Sequence, residues 1–287
     1  MLLAMARDLA PIIDGSKAAK KIRLDSFDPG DTAGLSKEAG LERLEKLGHQ
    51  LAELTNLLAF AGKHGLLIVL QGRDASGKDG TVRKILEYGN VLNSRVCPFK
   101  APTAEELAHD FLWRVHKQAP AKGTIALFNR SHYEDVIAVR VHQLRPKEIW
   151  QARYEQINQF ERLLVASGTI VLKFFLDVSK DEQRKRLEER EEDPLTAWKL
   201  NVSDWKEIPL WDETSAAYED VLRRCSSKEL PWHVVPADHK WFRNLVVIER
   251  VVQALQPYRD GWLSSLKDVR KAALAEIAPL RKKLGKK

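Results

Sequence analysis

One segment constrains the fold more than any other: an apolar run followed directly by a glycine-rich loop. The run is Leu66 to Gln71, and the loop reads Gly72-Arg73-Asp74-Ala75-Ser76-Gly77-Lys78-Asp79-Gly80. A buried strand, a tight glycine turn and a helix that begins at the lysine form the layout of a phosphate-binding loop. Glycines allow successive backbone N–H groups to face one anion, and the helix N-terminus adds partial positive charge. Residues 72–80 are therefore predicted to bind phosphate; a plain glycine turn in an ordinary α/β unit is the alternative.

The loop departs from the common motif at one position. Where that motif has a Ser or Thr hydroxyl for Mg²⁺, this chain has Asp79. A metal ion must therefore be held differently, and Asp74 is the carboxylate inside the loop. Lys78 is expected to reach the transferred phosphate.

The composition indicates one large α/β domain with additions. The chain has 287 residues, of which 44% are hydrophobic, enough for a substantial core. A formal net charge of +7 favours a polyanionic partner: nucleic acid, an acidic membrane surface or a phosphate-rich substrate. Two cysteines, Cys97 and Cys225, indicate reduced thiols. No apolar run reaches the roughly 18 residues of a membrane helix, so a cytoplasmic location is predicted.

Five predicted strands alternate with helices along the chain. The strands are expected at residues 66–71, 95–99, 124–128, 170–177 and 232–236, and the main helices at 36–62, 78–88, 104–116, 146–167 and 243–255. This alternation predicts a three-layer α/β/α domain with a five-stranded parallel sheet. The expected division is an N-terminal arm at 1–35, the phosphate-binding domain at 36–256 and a basic C-terminal extension at 257–287. The end of the extension is either a solvated helix or a contact for a polyanion or a partner.

Polar residues follow the third predicted strand, at the edge where open parallel sheets bind ligands. Arg130 is suited to clamp phosphate oxygens with two hydrogen bonds; a buried salt bridge is the alternative. Glu134 is a candidate for chemistry, although with Ser131 it also fits a capping box. His132 has no second His or Cys at ligand spacing, so a zinc site is not predicted.

A dense charge run begins at Lys180, after the fourth predicted strand. Arg186 and Arg190 lie one turn apart on one helical face. In a kinase, a mobile segment at this place closes over the phosphates and excludes water. A solvated helix with ion pairs between neighbouring turns is the alternative.

These motifs together resemble the family-2 polyphosphate kinases. The matching segments are Gly72–Gly80, Phe128–Val136, the run from Gln183 through Arg186, Arg190 and Pro194 to Trp198-Lys199, His109–Arg114, and Pro231–Trp241. The likeness extends from about Ile22 to Leu255, so it covers most of the chain and leaves out the basic end. It implies a P-loop kinase fold, related to the nucleoside monophosphate kinases, with a helical lid at about residues 180–205.

The resemblance also implies an activity: reversible transfer of the terminal phosphoryl group of inorganic polyphosphate to a nucleotide. The expected metal is Mg²⁺, with Mn²⁺ as the alternative. The subgroup that uses ADP has an aspartate where this chain has Asn129. With Asn129 and Glu134 at these positions, the chain resembles the subgroup that converts both AMP to ADP and ADP to ATP. The implied partners are polyphosphate, adenine nucleotides with guanine nucleotides as an alternative, and further copies of the chain in a dimer or tetramer, with no membrane and no specific nucleic acid.

The expected site residues fall into three groups. The catalytic group is Asp74, Lys78, Arg130 and Glu134, and the metal ligands are Asp74, Asn129 and Glu134. Phosphate or nucleotide binding is assigned to Gly72, Ala75, Ser76, Gly77, Asp79, Gly80, Lys84, Lys100, Asn129, Arg186, Arg190 and Lys199.

Two rival functions remain open at the level of sequence. An ATP-dependent nucleoside or nucleotide kinase would share the loop and the lid but use another donor. A basic nucleic-acid-binding protein is disfavoured, because the basic residues are interleaved with acids and no helix-turn-helix, aromatic RNA platform or zinc pattern is evident.

Overall fold

The computed structural model describes residues 9–16, 21–192 and 194–285. A central sheet contains the strands β1 (Ile12–Ile13), β2 (Gly65–Gln71), β3 (Ser94–Pro98), β4 (Ile125–Asn129), β5 (Thr169–Asp177) and β6 (Trp232–Pro236). Their order across the sheet is β1-β6-β5-β2-β4-β3. Strands β2 to β6 pair with one another in parallel, which confirms the predicted five-stranded parallel sheet, and β1 pairs with the outer side of β6 in the antiparallel direction.

Helices surround the sheet. Their bounds in the described residues are α1 (Lys37–Ala61), α2 (Lys78–Tyr88), α3 (Ala104–Ala108), α4 (Trp113–His116), α5 (Ala138–Val141), α6 (Lys147–Ala166), α7 (Lys180–Glu192), α8 (Val202–Glu207), α9 (Trp211–Arg224), α10 (Lys240–Leu255) and α11 (Arg259–Lys283). Short 3₁₀ turns lie at Leu24–Ser26, Val91–Asn93, His132–Asp135, Pro194–Lys199, Ile208–Leu210 and Gln256–Tyr258.

Two apolar cores lie on opposite faces of the sheet, which confirms the three-layer architecture. On one face, α1 contributes Leu51, Leu54 and Leu58, which pack with the apolar side of α10. On the other face, α6 and α9 cover the sheet with residues such as Phe160 and Val221. Strands β2, β4, β5 and β6 are largely apolar because both of their faces are buried, whereas the edge strand β3 has three exposed residues.

Three local features differ from the sequence prediction. The predicted helix 104–116 is two short helices, α3 and α4, and Asp110 lies between them, where its side chain accepts a hydrogen bond from the Leu112 N–H (2.9 Å). Helix α9 was not predicted, although its buried residues Ala217, Tyr218, Val221 and Leu222 recur at helical spacing. The pairing of Ile12 and Ile13 with β6 was also not predicted, and it makes β1 an antiparallel sixth strand.

The proposed division into arm, domain and extension stays a prediction. Of the arm, residues 1–8 and 17–20 lie outside the described residues, as do 286 and 287 of the extension. Helix α11 is anchored at its start, where the buried Trp262 donates from Nε1 to His64 Nδ1 (3.0 Å). Its last turns are exposed. Within the described ranges, no helix is both long and apolar enough to cross a membrane.

A buried ionic cluster ties the second core to the end of β4. Lys173 in β5 donates from Nζ to Glu161 Oε2 (2.7 Å) and to the carbonyl of Cys225 (2.7 Å). Glu161 Oε1 accepts from the Tyr133 hydroxyl (2.7 Å) and lies 3.2 Å from His132 Nε2. Burial opposes ionisation of Glu161, but Lys173 and His132 outweigh it and lower the pKa of this carboxyl to about 2.

The Glu161→Gln variant is expected to be much less stable than the wild type. The substitution leaves the Lys173 ammonium buried without its carboxylate, and breaking a buried pair in this way costs roughly 3–5 kcal/mol. The free energy of unfolding at pH 7, measured with urea, checks this.

Two further variants make the test specific. Glu155→Gln removes an exposed carboxylate from the same helix, where a surface pair with Arg162 contributes at most about 1 kcal/mol. The double variant Glu161→Leu with Lys173→Met removes both charges and should recover most of the lost stability. A Glu161→Gln protein as stable as Glu155→Gln would show that the buried pair does not contribute as described.

Candidate active site

The glycine-rich loop joins β2 to α2 in a conformation that glycine makes accessible. Gly72 has φ of 150° and Gly77 has φ of 98°, and Ala75 between them also has positive φ. A Cβ atom at Gly72 would lie 2.6 Å from the carbonyl oxygen of Leu176. At Gly77, which precedes α2, it would lie 1.8 Å from Nη1 of Arg243. Both glycines are therefore required by the backbone and by close neighbours.

Lys78 begins α2 and is buried beneath the loop. Its ammonium donates to the carbonyls of Gly72 (2.7 Å) and Arg73 (2.9 Å). Burial, followed by the nearby charge of Arg130, lowers the pKa of Lys78 to about 8. An anion bound at the loop would favour the charged form, because an opposite charge stabilises the ammonium.

The end of β4 lies beside the loop because Leu70 of β2 pairs with Asn129. The next residue, Arg130, adopts φ of 61° and its Nη2 lies 2.5 Å from Asp74 Oδ1. Its Nη1 is 3.6 Å from Glu134 Oε2. The two carboxylates raise the pKa of Arg130, Glu134 more than Asp74, against the effect of burial. The side chain is 41% exposed, so this pair is open to the site and is not the buried salt bridge considered as an alternative.

Glu134 lies in the 3₁₀ turn His132–Asp135, and Ser131 caps that turn by accepting from the Tyr133 N–H (3.2 Å). The glutamate does not complete a capping box, since its carboxylate faces Arg130 and Gln71. The amide of Gln71 satisfies both of its ends when its nitrogen donates to Glu134 Oε1 (3.0 Å) and its oxygen accepts from Ser131 Oγ (3.0 Å). The last residue of β2 thus helps to orient Glu134.

Oxygen ligands gather around Arg130. Asn129 Nδ2 donates to Asp79 Oδ1 (2.6 Å), and Asp74 and Glu134 flank the guanidinium. Among the described residues, no group of three or more His, Cys, Asp or Glu side chains is arranged to hold a metal ion by itself. Mg²⁺ commonly binds through one or two carboxylates together with substrate phosphates and water, so this oxygen-rich set fits such an ion.

A cleft of about 640 Å³ opens above the loop, and its lining is strongly basic. The Lys and Arg side chains come from the loop, α2, the segment after β3, the end of β4, the lid and α10. They are Lys78, Arg83, Lys100, Arg130, Arg186, Arg190, Lys199, Lys240 and Arg243. The acidic residues in the lining are Asp74, Asp79, Glu189 and Asp204. This excess of cations makes the cleft suitable for an anion carrying several charges.

Helix α7 lies against the loop. Its Gln183 donates to the carbonyl of Asp74 (3.0 Å), and Arg186 donates to the carbonyls of Ala75 (2.9 Å) and Ala237 (2.8 Å). Arg190, one turn later, pairs with Asp204 (2.9 Å). The inner face of α7 is therefore packed, in contrast to the solvated helix considered as an alternative.

Most of the remaining predicted binding residues line the cleft or the pocket beside it, and two do not. Ala75, Gly77, Asp79, Gly80, Lys100 and Lys199 line the cleft, and Gly72 lines an adjoining pocket. Ser76 is buried within the loop. Lys84 does not line the cleft; its ammonium pairs with Glu87 (2.6 Å). Six residues at 100° each place Lys84 about 240° around the helix from Lys78.

The adjoining pocket has a volume of about 130 Å³ and shares Asp74 and Arg130 with the cleft. It combines apolar and aromatic side chains with polar ones. They include Ile137, Val141, Trp211, Tyr218, Arg73, Glu134 and His142. The two cavities therefore meet at the Asp74–Arg130 pair.

Sequence reasoning missed two buried arginines at this site. Arg73 stacks on the ring of Trp211 at 3.8 Å, and its guanidinium lies 3.7 Å from the carboxylate of Asp177. Burial raises the pKa of Asp177 to about 7, although Arg73 acts in the opposite direction. Its position inside the loop was an available signal. Arg243 of α10 reaches the loop from far along the chain, so no local spacing could have indicated it.

Comparisons with known proteins match this geometry. The family model described as polyphosphate kinase 2 (PPK2) matches residues 34–260. An AMP/ADP-polyphosphate phosphotransferase of Meiothermus ruber is 47% identical over 238 residues, covering 82% of this chain and 89% of that protein. An ADP-polyphosphate phosphotransferase of Rhodopseudomonas palustris is 39% identical over 239 residues, 79% of this chain and 83% of that protein. The crystal structure of a polyphosphate kinase 2 from Arthrobacter aurescens superposes with a TM-score of 0.81 at 37% identity, covering 88% of this chain and 92% of that one.

The Gly77→Ala variant is expected to lose stability and anion binding. Its Cβ would meet the Arg243 guanidinium, and the positive φ adds backbone strain, so the expected cost is roughly 1–3 kcal/mol. Thermal unfolding with and without inorganic triphosphate checks both effects, since the wild type should be stabilised by the anion and the variant should not.

Gly80→Ala is the matched control from the same loop. A Cβ there would lie 3.1 Å from Nη2 of Arg243. This close contact is offset by the helix propensity of alanine, which favours the helix over glycine by about 1 kcal/mol. The stability of Gly80→Ala should therefore be close to that of the wild type, with triphosphate binding retained. Equal behaviour of the two variants would contradict the special role of Gly77.

Proposed function

This chain belongs to the polyphosphate kinase 2 family, and on that premise we propose that it transfers the terminal phosphoryl group of inorganic polyphosphate to AMP and to ADP, forming ADP and ATP. The observation that carries the proposal is the cleft at the phosphate loop, where nine Lys and Arg side chains outnumber four acidic ones. A linear polymer with a charge on every phosphate is the donor that such a lining would neutralise. The relatives described above are named for polyphosphate, so an ATP-dependent kinase is not favoured.

The two cavities suggest separate places for donor and acceptor. Polyphosphate would lie along the basic cleft, with its terminal phosphate over Lys78. Part of the adenine nucleotide would enter the smaller pocket, which shares Asp74 and Arg130 with the cleft. Its phosphate would then approach Arg130 from the side opposite the donor. Guanine nucleotides remain the alternative acceptor.

Catalysis would then rest on positioning and on charge neutralisation. An acceptor phosphate oxygen attacks the terminal phosphorus, forming a new P–O bond, while the P–O bond to the polymer breaks and the shortened chain keeps the electron pair. Lys78 and Arg130 neutralise the charge on the migrating group, and Asp74 and Glu134 orient the guanidinium of Arg130. Helix α7 excludes water, which would otherwise turn transfer into hydrolysis.

Mg²⁺, with Mn²⁺ as the alternative, would be held by Asp74, Asn129 and Glu134. When bound, such an ion neutralises phosphate charge and fixes the orientation of the reactants. Asp79 adjoins this set through its hydrogen bond with Asn129. The remaining assignments to individual site residues, a dimeric or tetrameric assembly and a cytoplasmic location are likewise part of the proposal.

The decisive experiment supplies long-chain polyphosphate and Mg²⁺ with AMP or with ADP, in the absence of ATP. Separation of the nucleotides should show ADP and then ATP formed from AMP, and ATP formed from ADP. Lys78→Ala should reduce both rates by at least about a hundredfold, because the charge that stabilises the migrating phosphoryl is removed.

Two other outcomes would change the proposal. Product from ADP alone would keep the family activity but contradict AMP phosphorylation. No product from either nucleotide, with activity restored when ATP is the donor, would replace polyphosphate by ATP.

The activity should fall at alkaline pH. As pH rises through the pKa of Lys78, which burial and Arg130 lower to about 8, the free enzyme loses the ammonium that neutralises phosphate. We therefore expect kcat/KM for polyphosphate to decline about tenfold per pH unit above that value. The corresponding fall in kcat should occur at a higher pH, since bound phosphate favours the charged form of Lys78. Initial rates from pH 6 to 10.5 provide the measurement.

Lys78→Arg is the control for this profile. A guanidinium stays charged over the whole range, so any residual activity of this variant should lack the limb near pH 8. The same limb in both proteins would assign the titration to another group.

A further inference from the structure

Arg243 is a buried cation at the active site that lacks a carboxylate partner within the described parts of the chain. It lies in the first turn of α10 and is 3% exposed. Its guanidinium donates to the neutral side-chain oxygen of Asn244 (3.0 Å from Nη2) and weakly to the carbonyl of Ser76 (3.4 Å from Nη1). These contacts supply hydrogen-bond acceptors but no compensating charge.

The other arginines around the phosphate loop are paired differently. Arg73, Arg130, Arg186 and Arg190 each have a carboxylate within ion-pair distance, namely Asp177, Asp74, Glu182 and Asp204. The charged neighbour of Arg243 is instead another cation, Arg186, and burial together with this repulsion lowers the pKa of Arg243 to about 10. A buried charge without a counterion is unfavourable, so the ligand-free protein maintains this arrangement at a cost in stability.

The position of Arg243 indicates what kind of ligand would relieve that cost. Its guanidinium is packed against Gly77 and Gly80, so it lies at the start of α2, where the helix N-terminus attracts anions. It lines the basic cleft together with Lys240, one turn earlier on α10. Arg130 contacts Asp74 near the other end of the same loop. The two arginines therefore contact different parts of the loop and line the same cleft, an arrangement suited to an anion with several phosphates in a row.

We propose that Arg243 binds the polyphosphate donor at the phosphates that follow the transferred one, and that it distinguishes donor binding from nucleotide binding. This inference rests on the proposed function, because it assigns a substrate contact within the same site. The guanidinium offers several N–H donors in a planar fork, which suits the bridging and non-bridging oxygens of adjacent phosphates. The incoming polyanion provides the counterion that the protein does not.

The first test compares stability without and with the donor. Arg243→Met should unfold at a higher temperature than the wild type in the absence of ligand, since a strained charge is replaced by an apolar side chain of similar length. Long-chain polyphosphate, added without nucleotide or metal, should raise the melting temperature of the wild type clearly more than that of the variant.

Arg250→Met is the matched control on the same helix. Arg250 is buried to a similar degree, but it donates to Gln253 Oε1 (3.0 Å) and to the carbonyl of Ala10 (3.1 Å), away from the cleft. Its replacement should leave the polyphosphate-induced shift intact, because the side chain lies away from the cleft. The retained shift separates an arginine that binds the donor from a buried arginine elsewhere on the same helix.

The second test uses steady-state kinetics with polyphosphate and AMP. Arg243→Met should raise KM for polyphosphate by about tenfold or more, the effect of losing a charge-assisted hydrogen bond, while KM for AMP changes less than about twofold. Arg243→Lys keeps the charge but not the fork, so it should recover part of the loss. This second variant also preserves the test if Arg243→Met does not fold.

The outcomes separate this inference from the function on which it rests. A wild type that forms ADP from polyphosphate, with Arg243→Met and Arg243→Lys both keeping the wild-type KM for polyphosphate, overturns the role of Arg243 alone. Loss of stability in free Arg243→Met with an unchanged polyphosphate-induced shift also overturns it, in favour of a structural role. A wild type that neither binds nor uses polyphosphate overturns the proposed function itself.

Discussion

The burial of positively charged side chains around the phosphate loop is the constraint on which the rest of this structure depends. Lys78 and Arg243 are both buried against the loop, and burial lowers the pKa of each. A protein tolerates such groups only when the surrounding fold is stable enough to hold them in place. The two apolar cores supply that stability, because α1 and α10 pack on one face of the sheet and α6 and α9 on the other.

Charge in this protein is compensated in two distinct ways. In the core, Lys173 and Glu161 neutralise one another without access to solvent, and they support the turn that carries Glu134. At the site, Arg130 is paired with Asp74 and Glu134 but stays partly exposed, so its partners can be exchanged for ligand oxygens. The first pair fixes geometry, whereas the second is accessible to a ligand. This difference follows from solvent access rather than from residue type.

The lid helix α7 has a role that its composition conceals. Arg186 directs its guanidinium to backbone carbonyls of the loop and of the segment after β6, and Gln183 binds the carbonyl of Asp74. Helix α7 therefore connects the two chain segments that hold the phosphate loop on either side. A movement of α7 would therefore change the conformation of the loop itself.

The sequence by itself determined the local parts of this protein. The strand, glycine turn and helix of residues 65–88 follow from residue types that act on their own neighbours. The same holds for β4, β5 and β6, because a strand buried on both faces is largely apolar. Asp74, Lys78, Arg130 and Glu134 were predicted as site residues in the same way, since each belongs to a short motif next to a strand end, and their role stays a prediction. Lys84 was assigned to the site although its spacing argues against this: it lies six residues after Lys78 on the helix and three before Glu87, with which it pairs.

Only the tertiary structure decided which distant residues meet. Arg243 joins the loop from α10, Trp211 of α9 stacks on Arg73, and Ile12 pairs with β6 across most of the chain. None of these contacts has a local pattern, because each depends on how helices and strands pack after they form. The same is true of charge compensation: a sequence lists its acids and bases, but burial and distance decide which cation is left to be neutralised by a ligand.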